Sequence, residues 1–143
     1  MIEKCFFDSN IWLYLLLEKG SEKSLIAKNY IETCILKNQV VVSWQVLNEV
    51  SVNLLRKGFT EEQILTTIKW FCRIATVQDF TEDLLLKASL LRQKYLISYW
   101  DSLIVSAALE SNCKFLISED MQDGRKISGL TIHNIFTSRS HLC

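Results

Sequence analysis

Two rhythms of apolar residues take turns along the chain. Short, largely apolar runs stand at residues 5–7, 40–42, 74–77 and 114–118, with a weaker one at 130–135. Runs of that length without alternation read as strands buried on both faces, as in a parallel sheet. Between them the apolar positions recur at helical spacing, which predicts helices over 9–17, 21–37, 44–57, 60–72, 81–95 and 98–112. Val46, Leu47, Val50 and Leu54 form one stripe of the third helix. Leu84, Leu85, Ala88, Leu91 and Tyr95 form the buried side of the fifth. Ser21, Ser43, Thr81 and Ser98 stand where N-caps belong, and Thr60 with Gln63 spells a capping box. Gly58 closes the third helix.

Strands that alternate with helices imply a parallel sheet with helices on both faces, joined by right-handed crossovers. The expected class is therefore α/β, with a central sheet of four to five strands. A chain of 143 residues is expected to form one domain, residues 1–143. Proline is absent and there are only four glycines, which disfavours a turn-rich all-β fold. The 16 basic and 16 acidic residues balance, so net charge argues neither for nor against nucleic acid as a partner. The five cysteines are scattered, with no zinc or redox spacing, and suit a reducing compartment. No stretch reads as a membrane span or a signal peptide, and a cytoplasmic protein is expected.

The chemistry lies in the acids. Asp8 follows the first strand, Glu49 lies in the helix after the second, Asp101 opens the sixth helix, and Asp120 follows the fourth strand. In an open parallel sheet, ligands bind outside the carboxyl ends of the strands. Each acid also has an ordinary reading. Asp8 can cap the first helix, Glu49 can be a solvated edge residue, Asp101 fits the Ser-x-x-Asp capping pattern after Ser98, and Asp120 and Asp123 can be turn residues. Tyr99 and Trp100 suggest that the sixth helix starts in a buried setting.

Converging carboxylates repel one another unless a cation intervenes. All-oxygen ligands suit Mg²⁺ or Mn²⁺ rather than zinc. His133 and His141 have no ligand spacing to the acids. Such a site suits hydrolysis at phosphorus by activated water. No Walker loop, GxGxxG or GxSxG is present.

Four segments carry a family resemblance: Phe7-Asp8-Ser9-Asn10-Ile11, Leu47-Asn48-Glu49-Val50, Tyr99-Trp100-Asp101-Ser102-Leu103-Ile104, and Leu116 through Gly124. In that order and at those spacings the chain resembles PIN-domain nucleases, the VapC-like toxin endoribonucleases in particular. The stretch from Ile127 to Phe136 resembles the family's closing strand. The resemblance implies a three-layer α/β/α PIN fold. It also implies a metal-dependent endoribonuclease in which Asp8, Glu49, Asp101 and Asp120 bind Mg²⁺ or Mn²⁺. Asp123 is the alternative or fifth acid, Asn10 and Ser118 hold carboxylates in place, and Glu119 points away.

Implied partners are an RNA substrate, a cognate antitoxin and a second copy of the chain, with Trp12, Trp70 and Phe71 as surface candidates that an ordinary core would equally explain. Arg125 and Lys126 are candidate phosphate contacts. The competing readings are a non-catalytic PIN-like module that binds RNA or protein, and another Mg²⁺-dependent phosphohydrolase or DNA nuclease.

Overall fold

The structure, a computed structural model, describes residues 3–137. His141 and the tail to Cys143 lie outside the described residues. Chain order is β1 (Lys4–Phe7), α1 (Ser9–Leu17), α2 (Glu22–Leu36), β2 (Val40–Ser43), α3 (Trp44–Arg56) and α4 (Glu61–Ile74). It continues with β3 (Thr76–Gln78), α5 (Glu82–Lys94), α6 (Tyr99–Glu110), β4 (Cys113–Ile117), β5 (Lys126–Ile127) and β6 (Leu130–His133).

One sheet runs in the order β3-β2-β1-β4-β6-β5, parallel except for the β5–β6 pair. The steps from β1 to β2 to β3 move one way across the sheet, and the return to β4 moves the other. The right-handed rule for such crossovers assigns α1–α4 to one face and α5–α6 to the other, in keeping with α1 packing on α2 and α3, α3 on α4, and α5 on α6. Cys5, Phe6 and Phe7 of β1 and Val40, Val41 and Val42 of β2 are buried, as strands covered on both faces should be.

The caps read from the sequence form. Ser21, Ser43, Thr81 and Ser98 each accept a backbone N–H in the first turn of their helix. Thr60 and Gln63 close a reciprocal capping box. Gly58, at φ +91°, takes the left-handed position just past α3.

Leu85, expected on the buried side of α5, is exposed, and that side is Leu84, Ala88 and Leu91. Three further expectations need correction. The sheet has six strands, not four to five. The extra one, β5, is two residues long and pairs antiparallel with β6 across Ser128-Gly129. Both turn residues have positive φ, 49° and 89°, as in a type I′ hairpin, and strands so short leave no periodic signal. The third strand starts at Thr76 rather than residue 74, because Ile74 completes the last turn of α4. Trp12 and Phe71 are not surface residues. Both are fully buried, and Trp70 is half-buried beside them, with Trp12 4.7 Å from Phe71 and 5.9 Å from Trp70 between ring centroids. The Trp12 indole N–H donates to the Phe7 carbonyl at 3.1 Å, which satisfies the one polar atom of that ring.

Candidate active site

Asp8 is placed by the sheet. Phe7 pairs with Ile117 in the β1–β4 register, so Asp8 and Ser118 are the next residues out at the carboxyl edge. The Asp8 backbone N–H donates to the Ile117 carbonyl at 2.9 Å. Its Oδ1 accepts the Ser9 N–H at 2.8 Å, capping α1, and its Oδ2 accepts the Ser118 hydroxyl at 3.0 Å. Asp8 therefore caps α1, as the ordinary reading expects, while standing at the carboxyl edge of the sheet beside Ser118.

Asp120 sits in the loop after β4. Asn10 of α1 donates its amide to Asp120 Oδ2 at 2.9 Å. Glu49, one turn into α3, is half-buried. The Ser9 and Gln45 side chains lie within hydrogen-bonding reach of its carboxyl, while its Oε1 is buried without a partner. Asp101 lies in the first turn of α6, where its backbone N–H donates to the Ser98 hydroxyl at 3.1 Å.

Asp8 and Glu49 both feel neighbouring acids. Burial pushes the Asp8 carboxyl above its ordinary value of 3.8. The Ser9 and Ser118 hydrogen bonds pull it back, and Asp101 and Asp120 push it up again. Burial first, then the Asp8 charge, raises Glu49 above 4.5, with Asp101 adding to it. Desolvation and like charge both disfavour the anions.

The other loop acids face elsewhere. Asp123 Oδ1 accepts the Asn134 N–H at 2.9 Å and lies 3.7 Å from His133 Nδ1. Glu119 turns to Tyr14 and Lys23. Asp120 is thus the loop acid that the structure brings to Asp8. Arg125 lies over the Tyr95 ring, 5.8 Å from its centroid, and reaches the Leu96 carbonyl at 3.5 Å; Lys126 is exposed on β5.

The donor set is oxygen throughout, and two buried oxygens, Glu49 Oε1 and Asn10 Oδ1, lack a hydrogen-bond partner. Among the described residues no three acid, His or Cys side chains close into a ready cage. The oxygen chemistry of the donors, rather than their spacing, is what fits a hard cation such as Mg²⁺.

Sequence reasoning missed the roles of Ser9, Gln45, Tyr14 and Lys23. Gln45 stands one helical turn before Glu49, a spacing that could have found it. It also missed the setting of Tyr99 and Trp100. Both are exposed, and the buried part of α6 runs from Ser102 to Ala108. With Trp44, Phe80 and Leu85 they line a cleft of about 780 Å³ whose wall includes Glu49.

A family profile described as PIN domain matches residues 5–124. Among curated protein sequences none matches. Solved structures do. A toxin-antitoxin complex from Klebsiella pneumoniae is 23% identical over 90% of this chain and 96% of its own, with a TM-score of 0.69. VapBC2 from Rickettsia felis, bound to a DNA fragment from its promoter, is 22% identical over 94% and 98%, with a TM-score of 0.69. VapC20 from Mycobacterium tuberculosis, a toxin that cleaves the sarcin-ricin loop, is 18% identical over 79% and 87%, with a TM-score of 0.64. At these identities the shared property is the fold.

Proposed function

Because the chain belongs to the PIN-domain family, we propose that it is a metal-dependent endoribonuclease acting as the toxin of a toxin-antitoxin pair. What supports this reading is that burial and neighbouring acids, Asp101 and Asp120 on Asp8 and then Asp8 and Asp101 on Glu49, make Asp8 and Glu49 resist ionisation beside the carboxyl ends of β1 and β4. The residues proposed to hold Mg²⁺ or Mn²⁺ are these four.

When bound, such an ion supplies an acidified water and neutralises charge developing at phosphorus. The chain's own part is to hold the carboxylates. Ser118 and the Ser9 N–H fix both Asp8 oxygens, and Asn10 fixes Asp120. The unpaired Glu49 Oε1 faces a cost that a cation would relieve. Water as the attacking group, with the P–O3′ bond breaking and the 3′-oxygen leaving with a proton, gives 5′-phosphate and 3′-hydroxyl ends and no 2′,3′-cyclic phosphate.

Partners follow by the same reading: an RNA substrate, an antitoxin, and a second copy of the chain, in the cytoplasm. The cleft beside Glu49, with Trp44, Tyr99 and Trp100 exposed, supports contact with another macromolecule. No helix of the described residues is long and apolar enough to cross a membrane.

The test is cleavage of a mixed RNA pool with Mn²⁺, with EDTA, and by Asp101→Asn, beside DNA and a small phosphate ester. Cutting of RNA that needs both the ion and Asp101 supports the reading. Preference for DNA or the ester, or 2′,3′-cyclic phosphate ends, overturns it.

A further inference from the structure

The fourth acid sits in an exposed loop, and its carboxylate is held there by the Asn10 amide. The residue before it is held more firmly. Glu119 Oε1 accepts the Tyr14 hydroxyl at 2.5 Å, and its Oε2 forms an ion pair with Lys23 of α2. Lys23 also donates to the Tyr14 oxygen at 3.2 Å and lies over the rings of Tyr14 and Phe136. Tyr14 and Phe136 pack edge to face with centroids 5.2 Å apart.

Asn10 and Tyr14 are four residues apart on α1 and so share one helix face. That face meets consecutive residues of the loop: Asn10 takes Asp120 and Tyr14 takes Glu119. Asp8, at the head of the same helix, is the acid that Asp120 must approach.

We propose that Tyr14 and Lys23 form a tether that, through Glu119, positions Asp120 against Asp8. The tether does two things. It fixes the backbone that carries Asp120, so the carboxylate is presented rather than free to swing into solvent. It also neutralises Glu119 and turns it aside, which keeps a fifth negative charge out of a site whose acids already repel. Tyr14, Lys23 and Glu119 are positioning residues, not catalytic ones. The consequence for cation affinity rests on the metal reading above; the positioning itself does not.

Two measurements separate these. Amide hydrogen exchange across residues 118–122 reads the loop in metal-free protein, and calorimetric titration with Mn²⁺ reads the site. The variants are Tyr14→Phe, which keeps the ring contacts and loses only the hydroxyl, Lys23→Met, which loses the charge, and Lys23→Arg, which retains it. Tyr14→Phe and Lys23→Met are expected to speed exchange in that loop alone and to weaken Mn²⁺ roughly tenfold. Lys23→Arg should restore both. Unchanged loop exchange, faster exchange over the whole chain, or a loosened loop with unaltered Mn²⁺ affinity would overturn the tether. Local loosening in a protein that binds no Mn²⁺ even as wild type would uphold the tether and remove the metal reading instead.

Discussion

Asp8 and Asp120 follow neighbouring parallel strands, yet they live in different surroundings. Asp8 is 8% exposed, capped against its own helix, and braced by a hydroxyl that is itself fully buried. Asp120 is exposed and leans on one asparagine. The floor of the site is therefore made by the sheet register, and the rim by side chains reaching across a loop. A buried carboxylate among like charges is costly to ionise, whereas an exposed one is shielded by water. Floor and rim should for that reason fail in different ways.

The largest effect is expected at the floor. Asp8→Asn should lower single-turnover RNA cleavage by at least about a hundredfold, and Asp120→Asn by roughly tenfold. Equal losses would remove the contrast. An asparagine in place of Asp8 can still accept the Ser9 N–H, so the helix cap survives, and metal-free Asp8→Asn should melt higher than wild type.

Ser118→Ala comes next. It removes the brace without touching a charge, and should weaken Mn²⁺ roughly 10- to 100-fold by calorimetry. A loss as small as that of a surface serine would mean the register alone holds Asp8.

The pH dependence of stability bears on the same contrast. In the folded protein Asp8 and Glu49 keep protons at pH values where the unfolded chain has released them. The folded state then binds more protons, so stability falls as pH rises. The stabilisation is full below the ordinary values of 3.8 and 4.5 and is lost as pH passes through the raised ones. Metal-free melting temperature should drop across that window. Saturating Mn²⁺ should flatten the drop, and so should Asp8→Asn. A melting temperature that rises with pH in the metal-free protein would contradict the repulsion.

Asp123→Asn should do least. Its Oδ1 accepts a backbone N–H from Asn134, which an asparagine oxygen can also do. Cleavage and Mn²⁺ affinity should stay unchanged, and stability should move by less than about 0.5 kcal/mol. A large loss would return Asp123 to the site.

Much of this molecule was legible from local signals. The buried triplets of β1 and β2, the stripe of α3, and the caps at Ser21, Ser43, Thr60, Thr81 and Ser98 depend on a few neighbouring residues each. β5 was not legible, since two residues have no period and its pairing comes from Ser128 and Gly129. The fates of the tryptophans were not legible either. Trp12 and Trp100 both sit in apolar company along the chain, yet one fills the interior beside Phe71 and the other lies open beside Glu49.

The acids divide in the same way. Asp8 and Asp120 could be assigned to one edge from strand direction alone, because parallel strands all end on one side. Asp101 could not, because α6 follows α5 rather than a strand, and only the packing of the two helices brings it to Asp8 and Glu49. The choice between Asp120 and Asp123 was equally out of reach. Three residues apart in one loop, they have the same local chemistry, and what separates them is Asn10 on one side and Asn134 on the other. Periodicity and capping act over a turn or two of chain, so the order of residues was enough to specify the elements and the edge where the acids gather. Pairing between residues more than a hundred positions apart, such as Asn10 with Asp120 and Asp8 with Ser118, is set by sheet register and helix packing, which exist only once the chain has folded.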